Sequence, residues 1–244
     1  MKILLVGYGK MGKAIEQIAT EKGHEVVGKI DKDNVSIISN FNAENADVAI
    51  EFTQPKSVFA NLETCLKNGI PVVSGTTGWY ERKPEMEKIC EENTGKLFTS
   101  SNFSVGVNVF FKINEFLAQL MNNYSDYSVE MEEIHHTQKL DAPSGTAITL
   151  AEGILKNISR NTNWKLKEEG KKMADSIIPI SAVREDKVPG THEVVYKSEI
   201  DSIEIKHTAH SRQGFALGAV LAAEFLYNQK KAGIYGMDDL LGFK

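Results

Sequence analysis

The chain is short of cysteine, proline, long apolar runs and positive charge, and each shortage closes off a class of protein. Only two cysteines, Cys65 and Cys90, occur in 244 residues. A disulfide framework or a zinc knuckle needs clustered cysteines at set spacings, so these two read as free or buried thiols, and a thiol mechanism finds little support. No apolar stretch approaches the roughly 20 residues that span a bilayer. The opening MKILLVGYGKMG passes from apolar residues into glycines without the small-residue cleavage site of a secretory leader. A cytoplasmic protein with no membrane partner is the expectation. Lysine and arginine total 28 against 33 aspartates and glutamates, a formal charge of -5. The broad positive field that nucleic acid requires is therefore missing, although a local basic pocket remains open. The six prolines form no linker, and neither an internal repeat nor a low-complexity tract interrupts the chain. What is present, 41% hydrophobic and 25% charged residues, is the composition of an ordinary globular protein with room for one large or two modest domains.

The first half alternates strand and helix patterns. Residues 2–7 are an apolar strand, and Gly7-Tyr8-Gly9-Lys10-Met11-Gly12 opens a helical pattern through Ile15, Ile18 and Ala19. This is GxGxxG between strand and helix. One glycine permits the tight turn, one lets the backbone approach a pyrophosphate, and one lets the helix pack closely on the sheet. The helix N-terminus offers free N–H groups to phosphates. A glycine-rich turn alone is weak evidence. It gains weight from residues 25–31 (EVVGKID), a second strand whose final Asp31 can accept the ribose hydroxyls of an adenine nucleotide. Lys32 is either a cation for a 2′-phosphate or an exposed loop lysine. Residues 47–52 and 70–74 read as strands, 55–67 and 85–92 as helices, and 96–100 as a further strand. Gly75-Thr76-Thr77-Gly78 and Ser100-Ser101-Asn102-Phe103 then fall beyond the C-terminal strand ends, where ligands of a doubly wound parallel sheet bind. GTTG by itself fits a glycine turn as well as a cofactor contact.

After Asn102 the pattern changes. Residues 107–120 form a long apolar-periodic helix, 127–134 alternate like a strand, and a helix follows over 145–158. A polar connection over 162–172 precedes three strand-like runs, 176–183, 192–196 and 202–208. Strands without intervening helices predict a second α+β domain on a mixed or antiparallel sheet. The fold class expected is thus α/β, a Rossmann-like parallel sheet plus that second domain. A dinucleotide-binding domain would cover 1–106 and 215–244, and a substrate and oligomerisation domain 107–214. Short hinges are expected near 103–108 and 211–215, with a site in a cleft between the domains.

The chemistry concentrates in EEIHHTQKLDAPSGTA, residues 132–147, where two histidines, a lysine and an aspartate fall within seven residues just ahead of a helix start. A metal site is poorly supported, because adjacent histidines on an extended segment point to opposite sides and no HxxxH or cysteine pair accompanies them. A solvated approach to a helix explains Pro143 and Ser144 as helix-start residues, but it calls for neither histidine. A catalytic pocket uses every part. The amides of Gly145 and Thr146 at the helix start, with His136 and Lys139, suit a carboxylate. His135 can exchange protons near neutral pH, and Lys139 can donate one if neighbouring cations depress its pKa.

The same stretch resembles the E-x-H-H-x-x-K-x-D-A-P-S-G-T-A signature of the dihydrodipicolinate reductase family. SNFSVGVN (101–108), GTTG (75–78), VPGT (188–191) and the late Ser211-Arg212 are similar to further blocks of that family, so the resemblance spans nearly the whole chain. It implies a reductase of lysine and diaminopimelate biosynthesis. NADH or NADPH would reduce a cyclic imine dicarboxylate, 4-hydroxy-tetrahydrodipicolinate, to tetrahydrodipicolinate with loss of water. It also implies His135 as the catalytic histidine and Lys139 as the proton donor, with His136, Gly145 and Thr146 on the substrate carboxylate and no metal. The cofactor positions implied are Gly7 to Gly12, Asp31, Lys32, Gly75 to Thr77 and Ser100 to Phe103. Family members look like homotetramers built through the second sheet. This chain departs from many members by a glycine loop one residue shorter, by Thr137 and Gln138 in place of Arg and His, and by a shorter 188–203 segment. On the residues alone, another nicotinamide-dependent amino-acid or keto-acid dehydrogenase and a non-catalytic nucleotide-sensing module stay open.

Overall fold

The apolar runs of the first half build one parallel sheet. Lys2–Val6 (β1), Glu25–Ile30 (β2), Val48–Glu51 (β3), Val72–Ser74 (β4) and Lys96–Thr99 (β5) are its strands, joined by Gly233–Tyr235 (β11) from the far end of the chain. Every pairing is parallel, in the order β11-β5-β4-β3-β1-β2. The central strands β3 and β4 are buried along their whole length, as a parallel sheet covered on both faces requires. The helices Val58–Lys67 (α2) and Lys83–Glu92 (α3) cover one face through Leu62, Leu66, Met86 and Cys90. Lys10–Glu21 (α1) and Gln213–Asn228 (α6) cover the other through Ile15, Ala19, Ala219 and Ala223. Both cysteines are free and buried, and burial pushes the Cys65 thiol up to about 12.

The computed structural model describes every residue except Glu169, Lys171, Arg212 and Lys244. The chain divides into two units, Met1–Val105 with Gln213–Lys244, and Gly106–Arg212. The second unit holds a five-stranded sheet of order β10-β9-β6-β8-β7, formed by Ser128–His135 (β6), Asn163–Leu166 (β7), Ile177–Arg184 (β8), Gly190–Lys197 (β9) and Ser202–Ala209 (β10). It is mixed: β8 runs parallel to β6 and β7, while β9 is antiparallel to β6 and β10. Val105–Met121 (α4) and Gly145–Asn157 (α5) supply the other half of its core, with Phe110, Ala118, Leu150 and Ile154 against Val129, Met131, Ile180 and Val194.

Four elements depart from the sequence expectation. β7 lies inside the polar 162–172 connection, because an edge strand buries little and only Trp164 and Leu166 are shielded, alternating with exposed neighbours. β11 and the helix Met237–Leu241 (α7) are too short to generate a period. α2 starts at Val58 rather than at residue 55, since residues 55–57 are used in a turn closed on the Gln54 carbonyl.

Candidate active site

In the first unit the glycine turn follows β1 directly. Gly7 has φ 98, and a Cβ there would lie 1.9 Å from the Phe52 carbonyl oxygen, so no other residue fits without moving backbone. A Cβ on Gly12 would stand 2.2 Å from the Gly7 carbonyl oxygen, which makes this the position of close packing. Gly9 differs: a Cβ would meet nothing within 4 Å. It is also the N-cap of α1, whose first turn has neither a side-chain cap nor an acidic residue. These amides are the first-turn donors that have no acceptor inside the helix. A cleft of about 340 Å³ opens there, lined by Gly9, Lys10, Met11, Phe52, Thr53, Pro55, Gly75, Thr76 and Thr77. It lies past the ends of β1, β3 and β4, and β1 is the strand from which the order runs both ways. The open approach at Gly9, the uncapped amides and the cleft fit a dinucleotide.

Glu51, at the end of β3, was not singled out from sequence. Its side chain is fully buried and accepts hydrogen bonds from Ser74 Oγ (2.6 Å), Thr76 Oγ1 (3.0 Å), the Thr53 amide (3.1 Å) and Thr53 Oγ1. Burial raises its pKa and these donors lower it. The carboxylate thus braces both loops that line the cleft. Its signal was a lone carboxylate in an otherwise apolar run.

Other expected cofactor positions lie around this cleft or apart from it. The Tyr8 hydroxyl donates to Glu16, and its ring lies 4.9 Å under the Lys29 ammonium, so its side chain folds back on α1. Asp31 and Lys32 are exposed just past β2, where Asp31 accepts the Lys32 amide at 2.8 Å. Ser100 and Asn102 form a tight turn after β5, the Asn102 amide donating to Ser100 Oγ at 3.1 Å and Asn102 Oδ1 accepting the Ser104 amide at 2.9 Å. Ser101 is exposed. The Phe103 side chain is 2% exposed and packs 5.5 Å from the Phe52 ring and 5.8 Å from Phe98, so it belongs to the core and leaves its backbone for any ligand.

In the second unit the inward face of the sheet turns polar at one end. Along β6 the buried positions read Val129, Met131, Glu133, His135, and along β9 they read Gly190, Thr191, His192, Val194, Tyr196. The antiparallel register sets Glu133 opposite His192. Glu133 is fully buried. Its Oε2 accepts the Ser144 amide at 3.0 Å and stands 3.7 Å from both His135 Nδ1 and His192 Nε2, while Oε1 faces Arg184 Nη2 at 3.3 Å. Arg184 also donates to the carbonyls of Lys139 (3.2 Å) and Asp141 (2.7 Å), fastening the loop after β6 to the end of β8. Ser144 caps α5, its Oγ accepting the Ala147 amide at 3.2 Å, and lies 3.0 Å from His192 Nε2. The His135 and His192 rings meet edge to face at 5.0 Å.

The electrostatics follow from burial. Desolvation lowers the pKa of His135, Glu133 pulls it back up, and Lys139, Arg184 and His136 add to the lowering. His192 is pushed down to about 3, chiefly by burial. The Lys139 ammonium is gripped by both Asp141 oxygens, at 2.7 and 2.9 Å, and this bond holds the Asp141 carboxyl below its ordinary range. A carboxylate, rather than a crowd of cations, is therefore the nearest partner of Lys139. His136 Nδ1 is buried with no hydrogen-bond partner among the described residues. Gly145 is exposed, and a Cβ there would meet nothing within 4 Å, so the approach to the first turn of α5 is open.

Sequence reasoning weighed a metal on the two adjacent histidines. The structure groups His135 instead with Glu133 and His192, three donors within 4.8 Å of one another. Glu133 Oε2 is held by the Ser144 amide, Oε1 by Arg184, and His192 Nε2 by Ser144 Oγ, so two of the three are engaged inside the protein, while His135 Nδ1 is buried without a hydrogen-bond partner among the described residues. His192 and Arg184 were both overlooked. His192 was legible in principle, because alternation from Val194 and Tyr196 turns it inward. Arg212 lies outside the described residues.

A parallel sheet with a glycine turn at its switch point, in one chain with a buried imidazole and carboxylate cluster, defines a nicotinamide-dependent reductase. Residues 1–103 match the family model described as dihydrodipicolinate reductase, N-terminus, and residues 106–241 the one described as dihydrodipicolinate reductase, C-terminus. The chain belongs to the dihydrodipicolinate reductase family, NADH- or NADPH-dependent enzymes of lysine and diaminopimelate biosynthesis. It is 52% identical to the 4-hydroxy-tetrahydrodipicolinate reductase of Christiangramia forsetii, across 99% of this chain and 98% of that one. It is 38% identical to the enzyme of the same name from Methanococcus vannielii, across 91% and 85%. Among solved structures it is similar to the dipicolinate-bound dihydrodipicolinate reductase of Paenisporosarcina sp. TG-14, with 25% identity, a TM-score of 0.75, and coverage of 98% and 99%. The sensing-module and other-dehydrogenase readings close here. No helix among the described residues is long and apolar enough to cross a membrane.

Proposed function

We propose that this chain reduces 4-hydroxy-tetrahydrodipicolinate to tetrahydrodipicolinate with His135 and Lys139 handling protons, and that His136 with the amides of Gly145 and Thr146 holds a substrate carboxylate. The unit formed by Met1–Val105 and Gln213–Lys244 is the cofactor-binding half, and Gly106–Arg212 the substrate half. A bound nicotinamide supplies hydride, the substrate hydroxyl leaves as water, and a proton completes the balance. Lys139 carries that proton on Nζ, where Asp141 keeps the ammonium oriented. His135 sits on Glu133, whose negative charge favours the imidazolium that proton transfer requires. Gly145 and Thr146 place first-turn amides and the positive end of a 13-residue helix toward an anion. The observation that carries this reading is the assembly of a buried histidine, its carboxylate and the capped start of α5 around one residue, Glu133. The direct test supplies the condensation product of pyruvate and aspartate semialdehyde and follows nicotinamide absorbance. Oxidation of NADH or NADPH is expected, and none with either cofactor would refute the reading.

A homotetramer in the cytoplasm is the assembly and location we propose. The second sheet ends in β10, an edge strand on which Ile203 is 39% exposed, and that edge is available for pairing between copies. A biosynthetic substrate and a nicotinamide coenzyme belong to the same compartment.

The carboxylate site makes a selectivity prediction. Pyridine-2,6-dicarboxylate should compete with substrate, and the matching monocarboxylate should bind at least about tenfold worse, since a charge-assisted hydrogen-bond set is lost. Equal inhibition constants would mean that the site grips only one carboxylate.

Cofactor choice rests on Asp31 and Lys32. Asp31 favours ribose hydroxyls and repels a 2′-phosphate, whereas Lys32 does the reverse. Both are exposed, so screening keeps each effect to about twofold to fivefold. Asp31→Ala should weaken NADH and spare NADPH, and Lys32→Ala should weaken NADPH, more visibly at low salt. The ratio of kcat/KM for the two cofactors reads this out, and unchanged ratios in both variants would place the pair away from the ribose.

A further inference from the structure

We infer that His192 is a positioning residue for this reaction, holding the Ser144 hydroxyl so that the start of α5 and the catalytic His135 are set by one buried network. The inference rests on the reading of His135 and of the α5 N-terminus given above.

The geometry comes from strand register. β9 lies between β6 and β10, so His192 is paired with Glu133 on one side and with His207 on the other. Its residue is 6% exposed, in line with the core residues Val194 and Tyr196. A buried polar ring in such a row needs a partner, and its partner is Ser144 Oγ at 3.0 Å. That oxygen already accepts the Ala147 amide at 3.2 Å as the N-cap of α5, and the Ser144 amide donates to Glu133 at 3.0 Å. Ser144 is therefore held at three points: by its helix, by Glu133 and by His192. Gly145 and Thr146 follow it directly, so a shift of Ser144 moves the amides proposed to grip the substrate.

The second link runs to His135. Its Nδ1 is 3.7 Å from Glu133 Oε2, the same oxygen that stands 3.7 Å from His192 Nε2. A charged His192 would compete with His135 for that carboxylate. Burial keeps His192 neutral, with His135, His207 and Lys139 adding to the effect, and leaves the charge of Glu133 to His135. Two imidazoles 5.0 Å apart are thus given different duties by their surroundings. One meets the reacting ring, and the other orders the frame around it.

The test compares His192→Gln, which keeps a hydrogen-bonding group near Nε2, with His192→Leu, which keeps bulk and removes the bond. His192→Leu should lower kcat/KM by about tenfold or more and weaken pyridine-2,6-dicarboxylate binding by a similar factor. His192→Gln should recover most of both, and NADH affinity should stay within about twofold in each. Ser144→Ala should act in the same direction and at least as strongly, since it also removes the Ala147 cap, and the double variant Ser144→Ala/His192→Leu should be no worse than Ser144→Ala alone, because the His192 linkage is already gone there. Equal losses in Gln and Leu, no loss in Leu, or independent multiplication with Ser144→Ala would each overturn the inference. Should the Leu variant fail to fold, the Gln and Ser144→Ala variants carry the comparison by the same readouts. The dicarboxylate titration needs no turnover, so its outcome is separable from failure of the proposed reaction.

Discussion

Lys139→Ala and His135→Ala are each expected to lower kcat by ~10²- to 10⁴-fold while leaving the Kd for NADH within about twofold. Both side chains belong to the second unit, and the glycine turn, the cleft and the Glu51 brace all belong to the first. On the proposed reading, losing either group removes a proton carrier and leaves the glycine turn and its cleft, which are built from the other unit, as they are. Lys139→Arg sharpens the point. Arginine keeps the positive charge and the pairing with Asp141, but it does not release a proton at working pH. If Lys139 serves as an acid, the Arg variant is nearly as slow as the Ala variant. If the charge alone matters, Arg restores the rate. Steady-state rates with a fluorescence titration of NADH decide between them, and small, equal effects of both Ala variants on kcat would reduce residues 132–147 to a structural loop.

Glu133→Ala is expected to cost about 3–5 kcal/mol of unfolding free energy, among the largest losses available from a single side chain. The carboxylate is fully buried and serves Arg184, the Ser144 amide and His135 together. Its removal leaves the buried Ser144 amide without its acceptor and takes the counter-charge from Arg184, which keeps only its carbonyl acceptors. Glu133→Gln keeps an acceptor for Ser144 and much of the packing, so it should fold with a smaller loss and still turn over slowly, because His135 has lost its counter-charge. Urea titration of both variants, with unchanged m-values as the check on two-state behaviour, supplies the numbers. A Glu133→Ala protein within about 1 kcal/mol of the parent would mean that the cluster relaxes around the gap and braces nothing.

What the sequence made legible was local. The GxGxxG turn carried its own geometry, since Gly7, Gly9 and Gly12 play the parts of turn, approach and packing. β1 to β5 were visible as apolar runs, and α5 as a Ser cap followed by a buried stripe of Ala147, Leu150, Ala151 and Ile154. Pairings between distant strands were hidden. Nothing near His135 announces residue 192 or residue 184, because β6 meets them through register and not through chain proximity. Phe103 shows another limit, since a motif does not say whether side chain or backbone is offered. Its ring, next to Phe52 and Phe98, gains more from burial than from exposure to a ligand, which leaves the backbone as the part that could make the contact its motif suggested. The polar strand β7 was masked because an edge position asks for few apolar residues.

The helix α6 lies so close to the chain before it that a Cβ on Gly218 would stand 1.7 Å from the Phe103 carbonyl oxygen, and it joins β11 in completing the first unit from residues past 212. During synthesis, residues 106–212 emerge before that helix does. The second unit can close its core while the first still lacks one of the two helices on that face, with Ile3, Leu5, Ile50 and Phe98 short of Ala219, Val220 and Ala223. The unit whose translation begins first is thus the unit finished last, since α1 alone covers that face of its sheet until α6 has been made.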